Sequence, residues 1–551
     1  MSPGAFAVFA VVCVSLEGRP AAAVIPDPIP ASDAVPGLPD GPPLVAPPPA
    51  PAPPPAPPPS SASPASPSPA PLRPTDADQI APEQIRKLTW QDIVVRRPAP
   101  WDKDAFEALM HARWRSNLYG FVELDAMHDS TQSYGPSSNN VMLARPGSYA
   151  GVHGRTQMTA NNSLFGFIIK APELASRVDA IGHAEVDFFG VQPSDATEST
   201  VYTMPSVRMR LFYFRLKQSF DASSIELLAG QYHDLFAWGG AGFYPNSVAF
   251  LGIAGEVYHR QPQIRLTYSV PLYGVRIDVA AAVVRPVQRD SEVPDLQGGV
   301  KVSVDRWRGI GTQGFGQPDV QPLAIGVSGV WRRFAVAEFL PVPGEPKIAF
   351  GHGLAVNAFV PLIPAHVRAG RWFAPPGNRE NALSLNAEFT IGTGISDLYT
   401  GLTGGALFPT LPNPAGLMPA PIYHPNIDSG IVTFDADGNL QSINWRAAVI
   451  GLQYYLPGLG GQVWVSANYS QLKSTNIVSL TPENSLGSVF YWQQYFDANA
   501  YAAVTPAVQI GASYQYAQQY FGDRPVTGVP GGGDHPSSHN HRAELGFRFF
   551  F

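Results

Sequence analysis

The chain has 551 residues, of which only 14% are charged and 11% aromatic, with a net charge of -7 and a mean hydropathy near zero. That length exceeds one ordinary soluble domain, the lack of a clustered Lys and Arg block excludes a nucleic-acid partner, and beyond the amino terminus no apolar run reaches the ~18 residues a spanning helix needs. The apolar side chains are dispersed, and the single cysteine, Cys13, leaves the rest of the chain without a thiol.

Residues 1–23 read as a secretory signal peptide: an apolar run from Ala5 to Leu16, then Glu17, Gly18, Arg19, Pro20 and the small residues Ala21, Ala22 and Ala23. The first four residues carry no Lys or Arg, which departs from the usual pattern, and Cys13 sits inside the apolar run rather than after it, which argues against a lipoprotein. Residues 24–74 are crowded with Pro, Ala and Ser, a composition that cannot bury a core and favours polyproline II, a spacer of up to ~150 Å at ~3.1 Å per residue. It reads as a disordered linker or as a tether toward the cell wall. Residues 75–116 change character. Asp102 suits an N-cap, and Phe106, Leu109, Met110 and Trp114 recur at helical spacing, which predicts one short amphipathic helix.

Residues 117–551 switch to a period of two, which predicts an all-β chain. Leu118, Val122 and Leu124 alternate with Tyr119, Phe121, Glu123 and Asp125; Val275, Ile277 and Val279 oppose Arg276 and Asp278; Val463, Val465 and Tyr469 oppose Trp464, Ser466 and Asn468. Many runs reach about 10 residues, the length of a tilted bilayer-crossing strand and longer than the ~5–6 of a soluble sandwich. Short links at 171–177, 219–223, 271–274, 361–364 and 457–460 alternate with long excursions at 127–150, 234–256 and 394–442. The pattern predicts a transmembrane antiparallel β-barrel of about 16 strands, from 118–127 to 542–551, wide enough to leave an aqueous interior.

The alternation aims a mixed set of charges inward. Glu123, Asp125, Glu185, Asp187, Arg265, Arg276, Lys301 and Arg446 are the candidate lining residues, joined by Arg542, Arg548, Asp179, Asp278 and Asp305. In the run 257–269, Ile264, Leu266 and Tyr268 point outward, which sends His259, Gln261, Gln263, Arg265 and Thr267 inward. Arg265 follows the excursion 234–256, so it either lines a narrow section or forms a salt bridge with Asp234 or Glu256.

At the last strand the sequence meets a family. Glu544, Gly546, Phe549 and the terminal Phe551 resemble the C-terminal assembly signal of Gram-negative outer-membrane proteins. Ser163-Leu-Phe-Gly-Phe167, Glu185-Val-Asp-Phe-Phe-Gly190, Arg208-Met-Arg210, Leu228-Ala-Gly-Gln231 and Arg260-Gln-Pro-Gln-Ile-Arg265 resemble, in order, the DcaP-like branch of the trimeric porins. The resemblance covers roughly residues 118–270. It implies a homotrimeric diffusion channel in the outer membrane, inserted by the barrel-assembly machinery among lipid and lipopolysaccharide and passing small solutes such as carboxylates. It also implies an inward-folded third loop, here carrying Asp234, Trp238, Phe243, Tyr244 and Glu256. The Pro-rich spacer in place of that family's coiled coil, and the length of the 394–442 loop, are departures.

Other motifs favour plain readings. Gly309-Ile-Gly-Thr-Gln-Gly314 matches a dinucleotide fingerprint, but Gly316, Pro318 and Pro322 follow instead of a helix. Asp435-Ala-Asp-Gly-Asn439 resembles the start of a calcium loop without its terminal Glu. Neither GxSxG nor HExxH occurs; His233 and Asp234 adjoin, with Ser219 and Ser223 nearby in sequence. The expectation is a channel with no cofactor, no metal and no catalytic residue; its rival is a surface adhesin or cell-wall anchor using the spacer or the long loop.

Overall fold

The computed structural model describes residues 114–551 except 136–141, 173–177, 191–205, 239–244, 249–252, 314–316, 338–344, 366–378, 403–425, 429, 482–488 and 523–535. The segments read as a leader, a Pro-rich spacer and a helix capped by Asp102 lie outside the described residues.

The strands in chain order are β1 (Arg115–Asp129), β2 (Arg155–Thr159), β3 (Leu164–Lys170), β4 (Val178–Asp187), β5 (Arg208–Ser219), β6 (Ser224–His233), β7 (Arg260–Leu272), β8 (Val275–Val284), β9 (Asp295–Gln313), β10 (Gln317–Ala337), β11 (Pro346–Ile363), β12 (Leu383–Thr393), β13 (Val432–Phe434), β14 (Leu440–Ser442), β15 (Asn444–Tyr455), β16 (Val463–Ser474), β17 (Phe490–Thr505), β18 (Val508–Phe521) and β19 (Ser537–Phe550). A one-turn helix, α1 (Tyr149–Val152), precedes β2. Seventeen strands form one antiparallel sheet, and β1 closes it by pairing with β19 on one side and with β2 and β3 on the other. β2 and β3 are two halves of one stave, so the barrel has sixteen staves, and β13 and β14 make a separate hairpin. At the break the Glu123 N–H donates to the Ser163 hydroxyl (3.0 Å) instead of to a strand carbonyl.

Alternation sorts the side chains as the sequence pattern predicts. Leu118, Val122 and Ile264 are 60%, 50% and 60% exposed on the outer face, whereas Tyr119, Phe121, Glu123 and Asp125 are buried inside. Closure leaves the seventeen-stranded sheet without an edge strand among the described residues. At the seam Phe551 and Gly120 exchange both backbone hydrogen bonds (3.1 and 3.2 Å).

Tight turns gather at one end. Phe220 N–H donates to the Ser223 carbonyl (2.8 Å), and β7 and β8 are joined through Tyr273 and Gly274, whose φ values of 51° and 90° fit a two-residue type I′ hairpin. The link expected at 361–364 is not one of these turns. β11 continues through Pro361 by a register shift, and the connection runs from 364 to 382.

The longest staves, β9 and β10, lose register at Pro322, where residues 305–307 bulge. Past that bulge the hairpin leans over the inner wall: Ile310 is buried with Val248, Ala382, Tyr455, Trp464 and Tyr501, the Trp307 indole N–H donates to the Pro361 carbonyl (2.7 Å), and Ala365 N–H donates to the Arg308 carbonyl (3.0 Å). A Cβ on Gly309 would stand 2.6 Å from the Pro361 Cβ, so the glycine serves close strand approach. The GxGxxG motif thus begins in a β-hairpin strand, without the helix that nucleotide binding needs.

Candidate functional site

The interior is partly filled by chain entering from the long-loop end. After β6, Asp234 begins a segment that turns into the lumen. Leu235 and Phe236 N–H donate to Gln297 Oε1 (2.7 and 2.9 Å), and Ala237 N–H donates to the Ser328 hydroxyl (2.8 Å). Ala237 and Trp238 have φ of 60° and 46°, a left-handed bend that lays the indole against β9. Farther round the barrel, at β16 and β17, the Asn246 carbonyl accepts from Ser466 Oγ (2.5 Å) and Asn468 Nδ2 (2.8 Å), Ser247 Oγ donates to Asp497 (2.6 Å), and Val248 N–H donates to Asn499 (3.1 Å). The segment returns past β12, where Val257 N–H donates to Glu388 Oε1 (2.7 Å). One loop therefore touches the wall at β9 and β10, at β12, and at β16 and β17.

A second segment, after β12, also turns inward. Ile395, Leu398, Tyr399 and Leu402 are buried against Phe236, Ala237 and Val257 and against Trp445, Ala447 and Leu472 of the wall. This apolar mass occupies the lumen beside β11, β12, β15 and β16.

Open space remains on the other side. At the short-turn end a cavity of about 660 Å³ lies between β5 and β9 with Trp238 among its lining residues. Arg215, Lys217, Arg265, Arg276 and Lys301 line it together with Asp221, Glu226, Asp278 and Asp305. The pairs are loose: Arg276 to Asp278 is 3.5 Å, Lys301 to Asp278 3.7 Å and Arg215 to Glu226 3.6 Å, so these charges remain available to a solute. Lys301 Nζ is also 4.9 Å from the Trp238 ring. Arg265 donates to the His233 carbonyl (2.5 Å) and to Gln263 (3.0 Å), and its guanidinium sits 5.4 Å from the Tyr232 ring.

The wall between this cavity and the long-loop end is polar and tightly bonded. Tyr119 donates to Glu185 (2.6 Å), Arg210 joins Glu185 (3.0 Å) to Asp187 (2.6 Å) and donates to Tyr258 (2.8 Å), and Arg208 adds a second contact to Asp187 (2.6 Å). Glu123 is held by Arg548 (2.5 Å), and Asp125 accepts from Asn162. These four carboxylates are buried in bonded wall; Arg265, Arg276 and Lys301 line the cavity. Asp234 is buried and bonded to His259 (3.1 Å) and Gln261 (3.3 Å). Glu256 is buried and accepts from Ile253 N–H (3.2 Å). Phe243 and Tyr244 lie outside the described residues. Glu544 accepts from Gln515 (2.6 Å), Gly546 has Asp125 against it, and Phe549 faces outward.

Arg446 is a correction. It faces outward, while its neighbours Trp445, Ala447 and Val449 point in. The inner wall here is apolar because the inward loops pack on it, so polarity no longer marks the inner face. The inward course of the 394–402 segment was not foreseen either; its signal was the apolar set Ile395, Leu398, Tyr399 and Leu402.

Other candidates resolve simply. Ser219 and Ser223 stand at the short-turn end of β6 and His233 and Asp234 at the other, ten residues apart on an extended strand or roughly 30 Å. Asp435 accepts from the N–H groups of Asp437 (3.0 Å) and Asn439 (2.8 Å) and from Gln441 (2.8 Å), and the Asn439 N–H leads in holding its carboxyl below the usual range. It is an Asx turn. Among the described residues no three His, Cys, Asp or Glu groups are placed to hold a metal, and no helix is long and apolar enough to cross a membrane.

No family model matches the sequence, and no curated protein matches it. Solved structures do. The anion-selective porin of Comamonas acidovorans is similar at 9% identity over 80% of this chain and 100% of its own, with a TM-score of 0.41. OmpF of Salmonella typhi, solved with daunomycin, is similar at 10% identity over 80% and 98%, also at 0.41. The outer membrane channel DcaP of Acinetobacter baumannii is similar at 16% identity over 80% of this chain and 97% of its own, with a TM-score of 0.51. The described residues therefore have the closed-barrel fold of the DcaP channel, in agreement with the branch that the sequence resembles.

Proposed function

We propose that the protein is an outer-membrane porin of a Gram-negative bacterium, exported behind the 1–23 leader, through which small hydrophilic solutes diffuse passively. The observation that carries this reading is a polar, charge-lined cavity of about 660 Å³ inside a closed barrel with an apolar outer face, beneath a loop folded across the lumen. Such a barrel can satisfy its backbone in lipid while keeping a wet interior. Five cationic groups against four carboxylates favour small anions, carboxylates among them. No chemical step and no cofactor is assigned: the activity is diffusion. The assembly is a homotrimer, for which the outward groove floored by Ala180, Gly182, Ala184 and Ala229 and rimmed by Phe167, Phe212 and Phe214 offers a face that permits close approach.

Single-channel recording of the purified full chain in planar bilayers tests the reading. Stepwise conductance with a reversal potential displaced toward the anion equilibrium value is expected. A correctly folded barrel that inserts without conducting would overturn it and favour the adhesin or anchor.

A further inference from the structure

The two inward loops are bonded to each other inside the barrel. Tyr258 N–H donates to the Leu398 carbonyl (3.2 Å), Thr400 N–H to the Glu256 carbonyl (2.7 Å) and Gly255 N–H to the Thr400 carbonyl (2.8 Å), which sets Val257 opposite Tyr399 as an antiparallel bridge. The second loop is in turn fastened to the wall. Arg332 of β10 makes a two-pronged contact with Asp397 (2.6 and 2.7 Å), donates to the Gly394 carbonyl (2.9 Å) and reaches Asp295 of β9 (2.8 Å), all three side chains being fully buried. A two-pronged, desolvated guanidinium contact fixes orientation as well as distance. Neither Arg332 nor Asp397 lines the 660 Å³ cavity.

We propose that the 394–402 segment is the strap that positions the constriction loop and so sets the size limit of the pore, with Arg332 and Asp397 as positioning residues. This rests on the channel reading. The strap holds Val257 and Tyr258, the return limb of the constriction loop, so releasing Asp397 frees that limb while the charges of the cavity stay in place. Size limit and charge selectivity are thus separate properties with separate residues.

The test uses the full chain carrying Asp397→Asn. The wild type sets a cut-off in uncharged polyethylene glycols of graded size; the variant should admit larger ones and raise single-channel conductance about twofold, since current follows open cross-section, with the reversal potential unchanged. If Asp397→Asn does not assemble, Thr400→Pro removes one loop-to-loop bond and keeps the ion pair. A second measurement does not depend on conduction. Val257→Cys with Tyr399→Cys in a Cys13→Ala chain places two thiols at a non-hydrogen-bonded antiparallel pair, a geometry suited to a disulfide. The disulfide should form readily, more slowly when Asp397→Asn is added, and on oxidation should return that variant to wild-type conductance. A folded Asp397→Asn or Thr400→Pro protein with wild-type cut-off and conductance overturns the proposal. A double-cysteine chain with Asp397 intact that cross-links but does not conduct, before or after reduction, overturns the channel reading and leaves the strap standing.

Discussion

Reversing the charge at Arg265 should invert the ion preference of the cavity. Its nine charged groups comprise Arg215, Lys217, Arg265, Arg276 and Lys301 against Asp221, Glu226, Asp278 and Asp305, a net of one positive charge; Arg265→Glu makes it one negative. For a monovalent ion about 8 Å away at an effective dielectric of about 40–80, each unit of charge acts with roughly 0.5–1 kcal/mol, so a two-unit change is roughly 1–2 kcal/mol. A Debye length of about 10 Å at 0.1 M salt removes about half. The remaining ~0.5–1 kcal/mol acts with opposite sign on cation and anion, so their permeability ratio should move roughly 5- to 30-fold toward cations. The assay is the reversal potential in a potassium chloride gradient, with Arg265→Met expected midway and heat-modifiable mobility as the check on folding. An Arg265→Glu protein that folds and keeps the wild-type reversal potential would refute the assignment of Arg265 to the conducting path.

Four more outcomes follow from the packing. Arg542→Ala strips the cationic partner from buried Asp129, which it holds by two bonds of 2.9 and 2.8 Å, leaving Asn540 (2.8 Å) and Gln157 (3.3 Å) as donors, and should cost about 3 kcal/mol in urea unfolding, with Asp129→Asn recovering part. Gly309→Val drives a side chain into Pro361 and should lift the β9–β10 tip off the wall, read as a red-shifted Trp307 emission and new trypsin cuts at Arg306 and Arg308. Deleting Phe551 removes both seam hydrogen bonds to Gly120 and the ring packed 5.7 Å from Phe165, and should cut the yield of assembled barrel in the membrane. Deleting residues 24–74 should leave conductance unchanged, since the cavity lies wholly within the barrel.

The outer surface of the fold was legible because lipid-side packing imposes one rule along most staves, β15 with its outward Arg446 being an exception. Leu118, Val122, Ile264, Leu266, Phe547 and Phe549 are apolar and exposed, and a one-residue slip anywhere would have sent charges outward. The count of sixteen staves followed from strand length and the spacing of turns. The interruption between β2 and β3 did not, because a broken stave and two short strands read alike; the Ser163 hydroxyl that mends the gap is a tertiary contact. Pro361 misled for a related reason, since a proline usually closes a strand, and here a register shift and the Trp307 indole accommodate it.

The inner surface follows a different rule, and Arg446 shows why. A lumen filled with water demands polar inward residues, whereas a lumen filled with protein demands a core, and the same alternating pattern serves either. From Glu123 to Lys301 the wet rule holds, and the inward charges are found bonded in the wall or lining the cavity. From Trp445 to Leu472 the core rule takes over: Trp445, Ala447 and Leu472 meet the inward loop after β6 and the 394–402 segment, Val449 meets Ile253 and Ala254, and Arg446 is displaced to the outer face opposite Lys473. The inversion is itself readable once two facts are joined. A strand whose apolar phase includes Trp, Ala and Val while its other phase places Arg446 among apolar residues, following a long loop that begins with Ile395, Leu398 and Tyr399, has a core to build inside the barrel. On the channel reading the route passes the cavity on the β5–β9 side, so charge substitutions there should alter selectivity while substitutions among Trp445, Ala447 and Leu472 should alter only stability and loop position.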